Sequence, residues 1–245
     1  LMSDRGRICL NRLARALPTA VAQFQAAGFT AKGVSFLTAT YFQGGVNPLI
    51  TNLDRFDHVI ITSPEAASEF TGHVISRWPQ WPSDLTIWCV GSATAAHIPV
   101  DAGLIRLASH PGSKPLIALI RRELSINDRV ILATVEGGGQ QFDVLNLSLD
   151  EPLNRLELYK LESCIEEFLF DPLQFDYLLH GSKVHLAACL TWAKVMGVDL
   201  DHLIHLVTSS QAVALLRPGS RYYRIDAPSL KHVLAVIQGE PSVKV

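Results

Sequence analysis

Short hydroxyl residues end two similar apolar runs that lie far apart in the chain. The first run, Phe56–Ser63, ends in Thr62-Ser63, and its second copy, Phe175–Ser182, ends in Gly181-Ser182. A serine at this position accepts a hydrogen bond from a free N–H group at the start of a helix, and such helix starts also bind anions. These segments predict strand-to-helix turns suited to an anionic ligand.

A second pair of turns follows in the same order. Val90–Ala95 contains Ser92 and Thr94, and Val207–Ala212 contains Ser209 and Gln211. The repeat predicts two similar units whose turns line a common cleft. The simpler alternative stays open, because serine is a leading helix N-cap residue without any ligand.

Composition limits the other possibilities. The chain has 245 residues, of which 48% are hydrophobic and 18% charged, so it can bury a full core. Its net charge of −2 gives no global field to attract nucleic acid. It has no apolar run of the ~20 residues that span a bilayer. The four cysteines form no C-x-x-C pair, which favours free thiols in the cytoplasm. We expect a cytoplasmic monomer.

Strand-like apolar runs alternate with helical patterns along the whole chain, which predicts an α/β fold with parallel sheets covered on both faces. The predicted elements include strands at Gly33–Leu37 and Arg129–Thr134 and helices at Gln141–Leu149 and Lys183–Met196. Two irregular stretches, at Thr38–Pro48 and Cys164–Gln174, suggest where the chain crosses between domains. We expect a discontinuous domain of residues 1–37 and 168–245, an inserted domain of residues 43–163, and linkers at 38–42 and 164–167.

Four segments together resemble the uroporphyrinogen-III synthase family. Val59–Pro64 matches the family's strand ending in Thr-Ser-Pro, and Val90–Ala95 matches its Val-Gly-x-x-Thr-Ala motif. Leu156–Lys160 matches a strand that contains a tyrosine, here Tyr159. Asn11-Arg12 resembles the end of the family's first strand. The resemblance covers nearly the whole chain.

The resemblance implies two flavodoxin-like domains joined by a two-strand linker, with a cleft between them. It also implies a reaction without metal or organic cofactor. The substrate would be hydroxymethylbilane, a linear tetrapyrrole with an acetate and a propionate on each ring. The enzyme would release its hydroxyl as water, invert the last ring and close the macrocycle to uroporphyrinogen III.

Individual roles follow from the same resemblance. Tyr159 is the candidate catalytic acid, with a half-buried strand tyrosine as the alternative. The candidate substrate-binding residues are Arg12, Thr62, Ser63, Ser92, Thr94, Gly138, Gly181, Ser182, Ser209 and Gln211. Arg12 also fits a solvated charge at a strand end.

The sequence departs from the family at two places. The second Thr-Ser-Pro site reads Gly181-Ser182-Lys183, and the turn around Gly138 follows Glu136 where the family usually has an arginine. These departures motivate an alternative function, a non-catalytic two-lobed protein that binds an acidic small molecule. The glycine turn lacks the lysine of a P-loop, which argues against nucleotide binding. The spacing of the acidic residues and histidines in Asp199–His205 does not fit a metal site. A flavin-binding domain ranks last.

Overall fold

A computed structural model gives the fold of residues 5–42, 47–164 and 170–239. The chain divides into unit 1, the described residues within Leu1–Ala39 and Glu162–Val245, and unit 2, those within Thr40–Leu161. Of the expected linkers, residues 165–167 lie outside the described residues, as do the expected domain boundaries at 43 and 168.

The strands, in chain order, are β1 (Arg7–Asn11), β2 (Thr30–Val34), β3 (Leu37–Tyr41), β4 (His58–Ile61), β5 (Thr86–Cys89), β6 (Ile105–Leu107), β7 (Val130–Val135), β8 (Asn154–Ser163), β9 (Tyr177–His180), β10 (Ile204–Val207) and β11 (Arg221–Arg224). The helices are α1 (Leu17–Ala26), α2 (Pro48–Thr51), α3 (Pro64–Ile75), α4 (Ser92–Ala95), α5 (Ser113–Glu123), α6 (Lys183–Met196), α7 (Ser210–Val213) and α8 (Leu230–Ile237).

Unit 1 is built on a five-stranded sheet with the order β11-β10-β9-β1-β2, and its strand pairings are parallel. Counted within the unit this is the order 2-1-3-4-5 of flavodoxin-like folds. Apolar side chains of α1 and α8 pack on the sheet, including Phe24 and Val233. Leu186 of α6 and Ala212 of α7 form a further cluster with Val207. The predicted parallel α/β architecture is confirmed for this unit.

Unit 2 is built on a six-stranded sheet with the order β3-β8-β7-β4-β5-β6. The pairings of β4 with β5 and β7, and of β7 with β8, are parallel. When β3 is left out and the other five strands are renumbered in chain order, the strand order is 3-2-1-4-5. Trp88, Leu116 and Phe142 lie in a fully buried core between the sheet, α5 and the 3-10 segment Gln140–Ser148.

Three sequence-based elements differ from the structure. The strand predicted at Gly33–Leu37 spans the break between β2 and β3, where the Ser35 hydroxyl donates to Leu37 O at 2.7 Å. The irregular stretch predicted from Thr38 begins instead as β3. The helix predicted at Gln141–Leu149 is a 3-10 segment that starts after Gly139, whose φ is 77°.

Several finer expectations are confirmed. The helix α6 has the predicted bounds and ends at Gly197 with φ 67°. The four cysteines are free, and burial raises the pKa values of Cys9 and Cys89 to about 12. Among the helices of the described residues, none is both long and apolar enough for a membrane span.

Candidate functional site

Each sheet has a topological switch point, where neighbouring strands are followed by connections that run in opposite directions. In open parallel sheets, ligands bind beyond the carboxyl ends of the strands at this point. In unit 1 the switch lies between β1 and β9, which are followed by Arg12 and by Gly181-Ser182. In unit 2 it lies between β4 and β7, which are followed by Thr62-Ser63 and the glycine turn.

The structure of unit 2 brings Ser63 and Tyr159 together. The Ser63 Oγ lies 3.1 Å from the Tyr159 hydroxyl, and it also accepts from the Ala66 N–H at 3.0 Å. Beside them, Thr62 Oγ1 lies 3.0 Å from Thr134 Oγ1. Ser63 is therefore both the N-cap of α3 and a partner of the candidate acid, so the cap and ligand interpretations are compatible.

A β-bulge in β8 directs the Tyr159 side chain. Thr134 pairs with Glu157, but the next residue, Val135, pairs with Tyr159, so Leu158 is an extra residue in the ladder. Leu158 and Tyr159 are both buried, at 2% and 4% exposure. An extra residue shifts the alternation of the side chains that follow it, and bulges commonly redirect side chains in this way.

A carboxylate that the sequence analysis missed lies close to Tyr159. Glu65 Oε1 accepts a hydrogen bond from the Tyr41 hydroxyl at 2.6 Å, and the rings of Tyr41 and Tyr159 are 6.3 Å apart. Burial raises the pKa of Tyr159, the hydrogen bond with Ser63 opposes this, and the charge of Glu65 raises the pKa further. Tyr159 is therefore a neutral phenol at physiological pH.

The glycine turn after β7 is occupied by its own contacts. The Gly138 N–H donates to Val135 O at 2.9 Å, and Gly138 O accepts from Arg155 Nη1 at 2.6 Å. Arg155 also forms an ion pair with Asp143. The turn itself has no arginine, and Arg155 of β8 places a guanidinium beside it instead. The charge of that guanidinium is neutralised by Asp143. A ligand at Gly138 would have to displace these contacts.

In unit 1, Arg12 is a partly buried cation at the end of β1. Its Nη2 donates to Pro228 O, before α8. Burial lowers the pKa of Arg12, and the guanidinium remains charged at neutral pH. Within residues 5–42, 47–164 and 170–239, no carboxylate pairs with Arg12. The alternative of a solvated strand-end charge does not fit this burial.

Next to Arg12, a buried hydrogen-bonded chain connects three strands of unit 1. Asn11 Nδ2 donates to His185 O at 2.8 Å and lies 3.0 Å from His180 Nδ1. The His180 Nε2 lies 3.1 Å from His205 Nδ1, and the two rings are stacked. Because an amide nitrogen only donates, His180 carries its proton on Nε2 and donates to His205.

Ser182 differs from Ser63 and Ser209, which cap their helices. Although it occupies the N-cap position of α6, its hydroxyl bonds to no helix N–H and lies 2.9 Å from His185 Nδ1. Burial and the charge of Arg12 lower the pKa of His185 to about 4. The second copy of the Thr-Ser-Pro motif therefore has a different local chemistry from the first.

The other predicted residues have separate environments. Ser209 caps α7 by accepting from Ala212 N–H at 3.1 Å, and Gln211 is exposed within that helix. Ser92 lies at the first position of α4, whose N-cap is Gly91. Thr94 is 1% exposed. Of the predicted binding residues, Ser63 forms the hydrogen bond with Tyr159 that the described part of the chain shows.

Alanine substitutions of Ser209 and Ser92 are expected to change the stability of the protein by different amounts. Replacing Ser209 with alanine is expected to lower the free energy of unfolding by about 1 kcal/mol, because a helix N–H loses its acceptor. The matched change Ser92→Ala removes no cap and should stay within about 0.5 kcal/mol of the parent. Urea unfolding of both variants measures this, and equal losses would contradict the assigned caps.

Sequence reasoning missed Tyr41, Glu65, His180 and His185, and it considered His205 only as a metal ligand. The repeat of the Phe-Asp run did contain His180, but strand order is needed to bring it to Asn11. Within the described part of the chain, no group of three or more His, Cys, Asp or Glu side chains is arranged to hold a metal.

The fold resembles that of known enzymes, although the sequence alone gives no match. Neither a protein-family model nor a curated protein matches it. A mutant uroporphyrinogen III synthase from Thermus thermophilus is 12% identical, with a TM-score of 0.55 over 96% of both chains. Uroporphyrinogen-III synthetase from Helicobacter pylori is 14% identical, with a TM-score of 0.55 over 96% of this chain and 100% of that one. These likenesses confirm the expected fold class, an α/β fold of two domains with mostly parallel sheets.

Proposed function

We propose that this protein is a uroporphyrinogen-III synthase, which cyclises hydroxymethylbilane with inversion of the terminal ring and loss of water. The observation that carries the proposal is the 3.1 Å contact between Tyr159 and Ser63 at the switch point of unit 2. The family motifs that contain both residues are far apart in the sequence, and the synthase-like fold brings them together. The substrate is a flexible polyanion, so binding and positioning are the main tasks.

Carboxylates of the substrate bind at the two switch points. The α3 and α6 helices present their positive ends there, and a helix N-terminus contributes ~0.3–1 kcal/mol per exposed anion. Arg12 adds a cation in unit 1. Local donors of this kind bind a polyanion despite the chain's net charge of −2. Holding the reacting ends in place contributes up to ~7–11 kcal/mol to such ring closures.

Tyr159 is the acid for loss of the hydroxyl. The C–O bond breaks with its electron pair on oxygen, the phenol proton completes the water molecule, and a cationic azafulvene remains. The Ser63 oxygen accepts from the Ala66 N–H through a lone pair, so its own proton remains available. The Ser63 hydroxyl then donates this proton in a hydrogen bond to the phenolate. After the new C–C bond forms, the proton lost from the ring carbon returns to Tyr159.

Glu65 stabilises the azafulvene cation, and Tyr41 positions its carboxylate. The change Glu65→Gln keeps the size of the side chain and removes the charge, so kcat should fall about tenfold or more while KM changes little. It should also lower the pKa of Tyr159, because the carboxylate raises it. Steady-state kinetics over a pH series measures both, and an unchanged kcat would exclude this role.

The decisive test of function uses enzymatically generated hydroxymethylbilane. The protein is incubated with it, and the oxidised porphyrin isomers are separated by chromatography, with heat-inactivated protein as the control for spontaneous closure. We expect the type III isomer. The type I isomer alone would contradict the proposal, and tight binding without turnover would favour the alternative of a non-catalytic binding protein.

A further inference from the structure

Arg12 differs from three arginines of the chain that form ion pairs with carboxylates. Arg7, Arg129 and Arg155 each face a carboxylate, at the amino edge of unit 1 or in unit 2. Arg12 has a backbone carbonyl as the partner of its Nη2, while its buried Nε has no partner among the described residues. A partly buried cation without a counter-charge among the described residues is costly, which favours an anionic partner for Arg12.

Like Arg12, His185 has a buried nitrogen without a hydrogen-bond partner in the described part of the chain. Its Nδ1 is 2.9 Å from the Ser182 hydroxyl, and its Nε2 is buried with no partner in the described part of the chain. When Ser182 donates to Nδ1, the proton of the neutral imidazole is on Nε2. The ring then has a buried donor without an acceptor.

Both side chains surround Gly181. A Cβ built on Gly181 would lie 3.4 Å from Arg12 Cγ and 3.5 Å from His185 Cε1. The helix α6, 14 residues long, starts at this point, and the Ser182 side chain does not cap its free N–H groups. Two side chains with unpartnered donors in the described part of the chain therefore lie beside an uncapped helix start at the switch point of unit 1.

We propose that Arg12 and His185 form a carboxylate-binding site, in which Arg12 Nε and His185 Nε2 donate to one carboxylate above the Gly181-Ser182 turn. That this carboxylate belongs to a tetrapyrrole rests on the proposed function, whereas the carboxylate site itself does not. His185 is then a binding residue that the synthase motifs do not include.

The site couples carboxylate binding to proton uptake. The helix α6 packs against β1, β9 and α7. The titratable groups nearest His185 on these strands are Arg12, which follows β1, and His180 of β9, while α7 has none. Burial and Arg12 keep His185 neutral, with a pKa of about 4. A bound carboxylate supplies the opposite charge and should raise that pKa by ~1–3 units.

The test is an NMR titration of His185 in the full chain, with propionate as the probe and propionamide as its uncharged analogue. We expect the pKa of His185 to rise by at least about one unit at saturating propionate and not with propionamide. The change His185→Gln assigns the resonance. The change Arg12→Gln should weaken propionate binding at least about tenfold, with folding checked by circular dichroism.

A matched control is His202→Gln. His202 contacts Pro172 O at 3.0 Å and lies before β10, at the opposite edge of the sheet. This variant should bind propionate like the parent. Propionate that binds without moving the pKa of His185, or does not bind at all, would overturn the inference. Formation of only type I porphyrin would instead contradict the proposed function. A rise in the pKa of His185 with propionate would still support the carboxylate-binding site in that case.

Discussion

A Tyr159→Phe variant is expected to lose about 100-fold in kcat, with little change in KM. The hydroxyl is the proposed proton donor to the departing water, and positioned acids contribute ~10²–10⁴-fold. The ring can remain in place, because it is 4% exposed and packs near Tyr41. The helix starts proposed to bind carboxylates keep their backbone N–H groups, so substrate affinity should persist. Steady-state kinetics with isomer analysis measures the effect.

The matched control for this variant is Tyr223→Phe, which changes a partly buried strand tyrosine of unit 1 away from the proposed chemistry. It should retain parental kcat. Since Ser63 still accepts from Ala66 N–H without Tyr159, the α3 cap should also survive in Tyr159→Phe. Full turnover by Tyr159→Phe would exclude the acid role and leave the isomer outcome as a separate question.

Acidification from pH 7 to 5 is expected to destabilise unit 1 by at least about 2 kcal/mol. Burial lowers the pKa of His205 to about 4 and that of His180 well below its ordinary value of 6.5. Between about pH 6.5 and 4 the unfolded chain therefore binds protons that the folded chain does not. Stability is complete above this window and is lost as the pH falls through it; at pH 5, His205 alone accounts for about 2 kcal/mol.

Chemical unfolding at pH 7 and pH 5 measures this loss. The variant His205→Gln retains an acceptor for His180 Nε2 but does not titrate, so its stability should differ less between the two pH values. Asp176 is a minor factor here, because its pKa is lowered from 3.8 and its contribution is lost only at more acidic pH. Equal pH dependence in the parent and His205→Gln would contradict the assigned hydrogen-bonded chain.

Local patterns in the sequence predicted two of the helix caps but not the behaviour of Ser182, whose side chain bonds to no helix N–H. Ser63 and Ser209 accept from helix N–H groups as expected, because the cap depends on a few neighbouring residues. The continuous apolar runs likewise located β4, β7 and β9. They could not give the order of the strands, which decides where each switch point lies.

The missed site residues depend on contacts across the sheets. Glu65 meets Tyr41 only because β3 forms, and its Thr-Ala-Thr-Tyr stretch has no continuous apolar pattern. Asn11 and His180 are 169 positions apart and meet because β1 and β9 pair. The bulge next to Tyr159 depends on the pairing of β7 with β8, which no local pattern specifies.

The most direct test of the proposed substrate sites is an amide NMR titration with uroporphyrinogen III kept reduced. We expect the largest shifts at the starts of α3 and α6, directly after Ser63 and Ser182. Shifts confined to the amino edges of the sheets, or missing from both helix starts, would contradict the account that these strand-to-helix turns hold the tetrapyrrole carboxylates.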